Sequence, residues 1–270
     1  MKRIPVKKKI TTIKEGSIVN GDAIAILKSL PDQSVDHCIT DPPYNISGYD
    51  DKRKIGWLQS NKHWTENKKF SKIDASWDKF SNGDYVLFTK AWLSELFRVI
   101  KPNGNIIIFG SYHNIYRIGS ILQDFDRKII NSVVWFKRNA FPNVTQRMLC
   151  ESTEHIIWAV NESQKKAKNW TFNYQELKKI NGDKQMRNMW DIPSTAPSER
   201  KHGKHPSQKP TAVISRFVLG GSKKGEIILD PFMGSGTLPV VAQRFGRKFI
   251  GIDNNKEYCE LTLKRLGAEK

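Results

Sequence analysis

The chain has 270 residues and 45 Lys and Arg against 27 Asp and Glu, a net charge of +18. That length suffices for one α/β domain with insertions and buries a core without disulfides or metals. No run of about 18 apolar residues occurs, which excludes a spanning helix, and 8 Trp with 13 Phe exclude collagen-like and wholly disordered chains. Residues 1–16 read as a loose basic arm, without the apolar stretch of a signal peptide. Ser17 to Asp22 is a short apolar run ending in Gly-Asp, and Ala23–Leu30 has helical spacing. Val35–Thr40 reads as a buried strand that runs directly into Asp41-Pro42-Pro43-Tyr44. Residues 45–76 show no period and read as a loop, either closing over a ligand or lying free on the surface. Asp84–Ile100 and Ile115–Phe125 are predicted helices around the strand Asn105–Gly110, and Ser132–Lys137 and His155–Val160 are further strands. From Asn161 to Lys209 eleven basic residues face five acidic ones, so the segment reads as a basic surface insertion. The helix Thr211–Gly220, strand Glu226–Asp230, helix Thr237–Phe245, strand Lys248–Asp253 and helix Asn255–Leu266 complete the chain.

Strands alternating with helices predict an α/β, Rossmann-like fold: a mostly parallel sheet with helices on both faces. The basic surplus asks for a polyanionic partner, nucleic acid before a membrane surface. Cys38, Cys150 and Cys259 form no CxxC and no closed disulfide set, which fits a reducing, cytoplasmic setting.

Two loops carry the chemistry, each following a buried strand. In Asp230-Pro231-Phe232-Met233-Gly234-Ser235-Gly236-Thr237 the glycines let backbone approach a ligand, and a helix N-terminus follows. The next strand ends in Asp253, an acceptor for ribose hydroxyls in nucleoside-binding sheets. In Asp41-Pro42-Pro43-Tyr44 two prolines stiffen the backbone, Asp41 and the Pro42 carbonyl offer acceptors for an NH₂ group, and Tyr44 offers a flat face. None of the three cysteines lies in a Pro-Cys loop, so none is read as a nucleophile. His202 and His205 lie among Arg200, Lys201 and Lys204, so no metal site is expected.

DPPY followed much later by DPFMGSGT resembles the S-adenosylmethionine-dependent amino methyltransferases of DNA, in particular the circularly permuted β group of adenine-N6 enzymes of type II restriction-modification or orphan type. Gly21-Asp22, Gly110-Ser111-Tyr112-His113-Asn114-Ile115-Tyr116 and His205-Pro206-Ser207-Gln208-Lys209-Pro210 extend the resemblance over about residues 18–266. It implies a catalytic Asp41, Pro42, Pro43 and Tyr44 that hold the amine of a flipped-out base. It implies a cofactor site at Asp22, Ala23, Asp41, Lys209, Phe232, Gly234, Ser235, Gly236, Thr237, Asp253 and Asn254. Within that site Asp253 falls on the ribose, Asp22 near the adenine, and Lys209 and Thr237 near the methionine carboxylate. Leu238-Pro239 departs from the family's usual Thr and Ala.

The resemblance divides the chain into a catalytic half at 17–160, a target-recognition insertion at 161–204 and a cofactor-binding half at 205–270. The insertion would bind DNA through Lys165, Lys166, Lys168, Lys178, Lys179, Lys184, Arg187 and Arg200. The implied partners are double-stranded DNA, a cognate restriction endonuclease and a second copy of the chain as a homodimer. Cytosine-N4 or RNA-adenine methylation, a non-catalytic DNA-binding module and a dinucleotide oxidoreductase are the alternatives.

Overall fold

A computed structural model describes residues 16–45, 78, 80–140, 142–143, 146–203 and 205–268. The expected loop at 45–76 lies outside the described residues except for Asn45, as do the arm before Gly16, Phe141 and Lys204. In chain order the elements are β1 (Ser17–Asn20), α1 (Ala23–Ser29), β2 (His37–Thr40), α2 (Asn82–Val99), β3 (Asn105–Gly110), α3 (Ile115–Asp124) and β4 (Lys128–Phe136). They continue with β5 (Thr153–Val160), α4 (Tyr174–Ile180), β6 (Met189–Asp191), α5 (Thr211–Gly221), β7 (Ile227–Asp230), α6 (Thr237–Arg244), β8 (Lys248–Asp253) and α7 (Lys256–Gly267). The strands form one sheet in the order β1-β8-β7-β2-β3-β5-β4-β6.

β5 pairs antiparallel with both β3 and β4, and every other pairing is parallel. Among the described strands β5 is therefore the one that runs against the rest. This direction has a chemical consequence. The C-terminal ends of β1, β2, β3, β7 and β8 share one edge of the sheet, and the N-terminal end of β5 falls on that same edge.

Alternation sorts the core. On β3, Ile106 and Ile108 face α1, α2 and α3, where Leu27, Trp92, Leu96 and Ile118 are buried. Ile107 and Phe109 face the other way, toward Val213, Phe217 and Val218 of α5 and Val241 of α6. Period-two alternation places successive side chains on opposite faces, so helices cover both sides as expected. Each large side chain buried here stabilises by about 1.5–3 kcal/mol. α2 begins at Asn82, two residues before the predicted start, because the Ser81 side chain caps the Asp84 N–H.

Three expectations change. β4 starts at Lys128, four residues earlier than predicted, across a bulge between Ile129 and Asn131 that breaks the alternation. β5 starts at Thr153 with two polar residues ahead of its apolar run. The 161–204 segment is woven into the main sheet. It supplies β6 at the sheet edge, and it buries Trp190 and Ile192 in the core beneath α5. Among the described residues no helix is long and apolar enough to cross a membrane.

Candidate active site

The two chemistry-bearing loops emerge from neighbouring strands. Thr40, last residue of β2, donates its hydroxyl to Asp230 Oδ1, last residue of β7, at 2.8 Å. The DPPY and glycine loops thus diverge from one tied point and open on a shared cavity of about 430 Å³. Ligands in open α/β sheets bind outside the carboxyl ends of strands, where this cavity lies.

On one side the glycine loop is wrapped around Asp253. Asp253 Oδ2 accepts the Gly234 N–H and Oδ1 the Asn255 N–H, both at 2.8 Å. Each oxygen keeps a second lone pair for a ligand hydroxyl. Gly234 and Gly236 take φ of +52° and +74°, the left-handed region. A Cβ on Gly234 would stand 3.0 Å from His205 Nε2, and one on Gly236 would stand 2.3 Å from Thr262 Cγ2. Phe232 leaves the loop to pack edge-on against Trp92, ring centroids 5.5 Å apart. Asp22 caps α1 by accepting the Ala25 N–H at 2.8 Å and reaches the cavity beside Ala23.

On the other side Asp41 is surrounded. The Lys209 ammonium donates to Asp41 Oδ2, and Tyr44 Oη donates to Asp41 Oδ1 at 2.5 Å. Glu154, from the start of β5, stands 3.2 Å from Tyr44 Oη and 3.3 Å from Lys209 Nζ through Oε2. Its Oε1 lies 3.4 Å from Lys137 Nζ. Two carboxylates and two ammonium groups, all four largely buried, therefore balance in charge. Burial pushes the Asp41 carboxyl above its ordinary range against the pull of Lys209, and the Glu154 charge adds to the rise. Burial works to lower the Lys209 ammonium, but Asp41 and Glu154 outweigh it and the net shift is upward. Burial, then the two carboxylates, hold Tyr44 well above its usual value, so it stays a neutral hydroxyl.

The DPPY backbone is held from behind. Tyr85 Oη of α2 donates to the Pro43 carbonyl at 2.9 Å and receives the Asn114 Nδ2–H at 3.1 Å. Asn114 in turn accepts the Ser111 N–H through Oδ1 at 2.9 Å. This gives Asn114, within the Gly110–Tyr116 stretch, a structural task. The Pro42 carbonyl accepts no hydrogen bond from any described residue.

The cavity brings together Asp22, Ala23, Asp41, Pro42, Pro43, Tyr44, Lys209, Phe232, Gly234, Ser235, Thr237, Asp253 and Asn254. Gly236 stands behind it as the α6 N-cap. Lys209 and Thr237 both line the cavity. The ammonium meets Asp41 and Glu154, while Thr237 Oγ1 donates to the Lys209 carbonyl at 3.0 Å. Sequence reading missed Glu154 and Arg265 at this site, and named Asp230 and His205 within their motifs without giving them a role there. Arg265 is buried in α7 and donates to the Ser235 carbonyl at 2.6 Å. Burial, then Lys209 and Arg265, lower His205 to about 4, so it is neutral at working pH. Among the described residues no cluster of three His, Cys, Asp or Glu is arranged to hold a metal.

The expected DNA contacts separate. Lys165, Lys166 and Lys168 follow the C-terminal end of β5, on the sheet edge opposite the cavity, because β5 runs against its neighbours. The Lys168 N–H donates to Asn103 Oδ1 at 2.9 Å, in the turn that feeds the N-terminal end of β3. α4, with Lys178 and Lys179, follows Asn173, whose side chain binds the Leu219 and Ser222 carbonyls at the distal end of α5. Lys184 follows just past α4, where its carbonyl accepts from Asn181 Nδ2 at 3.0 Å. These six do not border the cavity. Arg187 lies beside the middle of β4, and Arg200 sits near Gln208, whose Nε2–H donates to the Glu199 carbonyl. Lys137, Arg138 and Arg147 belong to the β4–β5 connection at the cavity edge; Arg138 pairs with Asp191 at 2.8 Å.

A doubly wound sheet with one reversed strand, and a cavity at its topological centre shared by an acidic proline loop and a glycine loop, define the Rossmann-like methyltransferase class. A family model for DNA methylases, covering N6 and N4 types, matches residues 35–264, and the chain belongs to that family. It is 40% identical over 256 residues to the Type II methyltransferase M2.LlaDCHI of Lactococcus lactis subsp. cremoris, covering 94% of this chain and 90% of the relative. It is 39% identical over 254 residues to M2.DpnII of Streptococcus pneumoniae, covering 93% and 90%. Among solved structures, M1.HpyAVI in complex with SAM aligns with TM-score 0.63 at 27% identity over 93% of this chain and 98% of that one. The cytosine-N4-specific PvuII DNA methyltransferase aligns with TM-score 0.70 at 18% identity over 94% and 87%, a likeness of fold alone.

Proposed function

We propose that the chain transfers a methyl group from S-adenosylmethionine to adenine N6 of a base flipped out of a specific double-stranded DNA site. The observation that carries this reading is the shared cavity, in which the Asp41-to-Tyr44 loop faces the Gly234–Asp253 cradle. The cradle suits a nucleoside. Gly234 leaves room that a Cβ would fill against His205, the Asp253 oxygens keep free lone pairs, and Phe232 gives an apolar wall. Ser235 and Thr237 border the same pocket, with Arg265 behind them. When bound, the cofactor supplies an electrophilic methyl group on sulfonium.

The chain's own residues position and hold. Asp41 and the Pro42 carbonyl, which has no partner among the described residues, accept the two N–H bonds of the target amine and draw nitrogen from planar toward tetrahedral geometry, exposing its lone pair. Positioning and electrostatics then lower the barrier without a covalent enzyme intermediate. Flipping the base costs a few kcal/mol, and stacking on Tyr44 returns about 1–3 kcal/mol. Asp rather than Ser at position 41 favours adenine over cytosine N4. The Type II names of the relatives support a cognate restriction endonuclease as a partner in the cell.

The test is modification-sensitive sequencing of plasmid DNA from cells that express the chain, beside Asp41→Ala. N6-methyladenine in one short motif, absent from the control, is the expected result. N4-methylcytosine would move the assignment to the other amine, and no mark from a folded, cofactor-binding protein would overturn it.

A further inference from the structure

Methylation of an exocyclic amine leaves one proton too many on nitrogen, and that proton must leave the site before the next turnover. The geometry points to a route built into this chain: Asp41 takes the proton from the methylated amine and hands it through the Tyr44 hydroxyl to Glu154. This inference rests on the function proposed above.

The route follows from the hydrogen bonds at one hydroxyl. Tyr44 Oη bridges the two carboxylates, 2.5 Å from Asp41 Oδ1 and 3.2 Å from Glu154 Oε2. A hydroxyl has one proton to donate and lone pairs to accept with, so it can accept from one carboxyl while donating to the other. At rest Tyr44 donates to Asp41. Once Asp41 holds the amine proton, Asp41 Oδ1–H donates to Tyr44 Oη, and the original Tyr44 proton passes to Glu154 Oε2. One O–H bond breaks and one forms at Tyr44, which is neutral before and after, and the net change moves one proton from Asp41 to Glu154.

Glu154 then releases the proton outward. Its side chain keeps 16% of its surface exposed, as does Lys137 beside it. Lys209 does not compete for the proton, because two carboxylates hold it protonated. The groups facing Glu154 are thus Tyr44 and Asp41 after β2, Lys209 ahead of α5 and Lys137 after β4. Glu154 never meets the base; it is a positioning residue that acts through Tyr44 and Asp41. It reaches them because β5 is reversed, which brings the start of this strand to the reactive edge.

Glu154→Gln keeps the size and an acceptor oxygen and removes the proton-accepting charge. In the cofactor-free protein, carbon-13 NMR should show Asp41 titrating at lower pH in Glu154→Gln than in wild type, because a neighbouring negative charge is gone. In steady-state turnover on a duplex carrying the recognised site, kcat should fall about a hundredfold or more, within the range of general acid–base contributions. DNA and cofactor Kd values should stay unchanged. The remaining rate should rise with the concentration of a small carboxylate buffer, formate, which stands in for the missing acceptor, while wild type ignores it. Glu154→Asp should recover part of the rate without formate. An Asp41 titration that does not move, or a lowered rate indifferent to formate, overturns the route. Wild-type protein that transfers no methyl group would instead refute the function, so the two failures are distinguishable.

Discussion

Asp230 ends β7 with its carboxyl fully enclosed, and burial, opposed by the Thr40 hydroxyl and aided by Asp41 and Asp253, raises it to about 7. An unfolded Asp titrates near ~3.9. Between about pH 4 and 7 the folded chain therefore holds a proton that the unfolded chain has lost, and stability falls as pH rises through that window. His205 works the other way. Its folded value of about 4 lies below the ordinary ~6.5, so its contribution is present above pH ~6.5 and is lost as pH falls toward about 4. The two residues oppose each other across most of one range. Asp230→Asn, which keeps an oxygen for the Thr40 hydroxyl, should gain stability at pH 8 and weaken the opposition to the His205 effect. Urea unfolding at pH 5, 6.5 and 8 should show the variant losing stability toward acid more steeply than wild type. Identical slopes would mean that Asp230 is ionised in the folded state.

At the scale of elements, Asn105 binds the 161–204 segment into the domain. It opens β3, is fully buried, and donates from Nδ2 to the Thr171 and Gly221 carbonyls at 2.8 and 2.7 Å. Its Oδ1 accepts Trp158 Nε1–H at 2.9 Å. Asn105→Ala leaves three polar groups without that partner. A buried group left unsatisfied costs about 1–3 kcal/mol, so equilibrium denaturation should show a loss of at least ~3 kcal/mol. Amide exchange should quicken in α4 before it does in β3. A loss under ~1 kcal/mol would show that water replaces the side chain. Such links mark where sequence reading stops. DPPY and DPFMGSGT were legible because each follows a short apolar strand and contains Pro or Gly, whose backbone demands are local. Glu154 was not, because its value depends on β5 running backwards, and strand direction is set by distant partners. Its polar neighbour Thr153 also hid the true start of the strand. α4 and β6 stayed unread because they are short and half-polar, stabilised by α5 and β4 rather than by their own periodicity.

Over the whole molecule, basic side chains of the described residues lie at both edges of the sheet, although catalysis occupies only one. Lys165, Lys166, Lys168 and Lys179 are exposed at the edge away from the cavity and pair with no carboxylate among the described residues. Arg138 and Arg147, in the β4–β5 connection, are exposed on the cavity edge. A duplex that delivers a base to Asp41 must lie across the cavity mouth, so phosphate contacts there govern productive binding, while distant charges act only through a screened field. The Debye length is about 8 Å at physiological salt, shorter than the ~20 Å span of a six-residue strand at ~3.3 Å per residue. The combined change Lys165→Glu, Lys166→Glu and Lys168→Glu should therefore leave methylation of a short duplex near the wild-type rate at physiological salt. Arg138→Glu with Arg147→Glu should raise the KM for that duplex. The same pair should flatten the salt dependence of binding by about 2 in log–log slope, at ~0.9 for each phosphate no longer neutralised. The reverse pattern, with the distant lysines controlling KM, would require the DNA to wrap around the sheet and reach both edges at once.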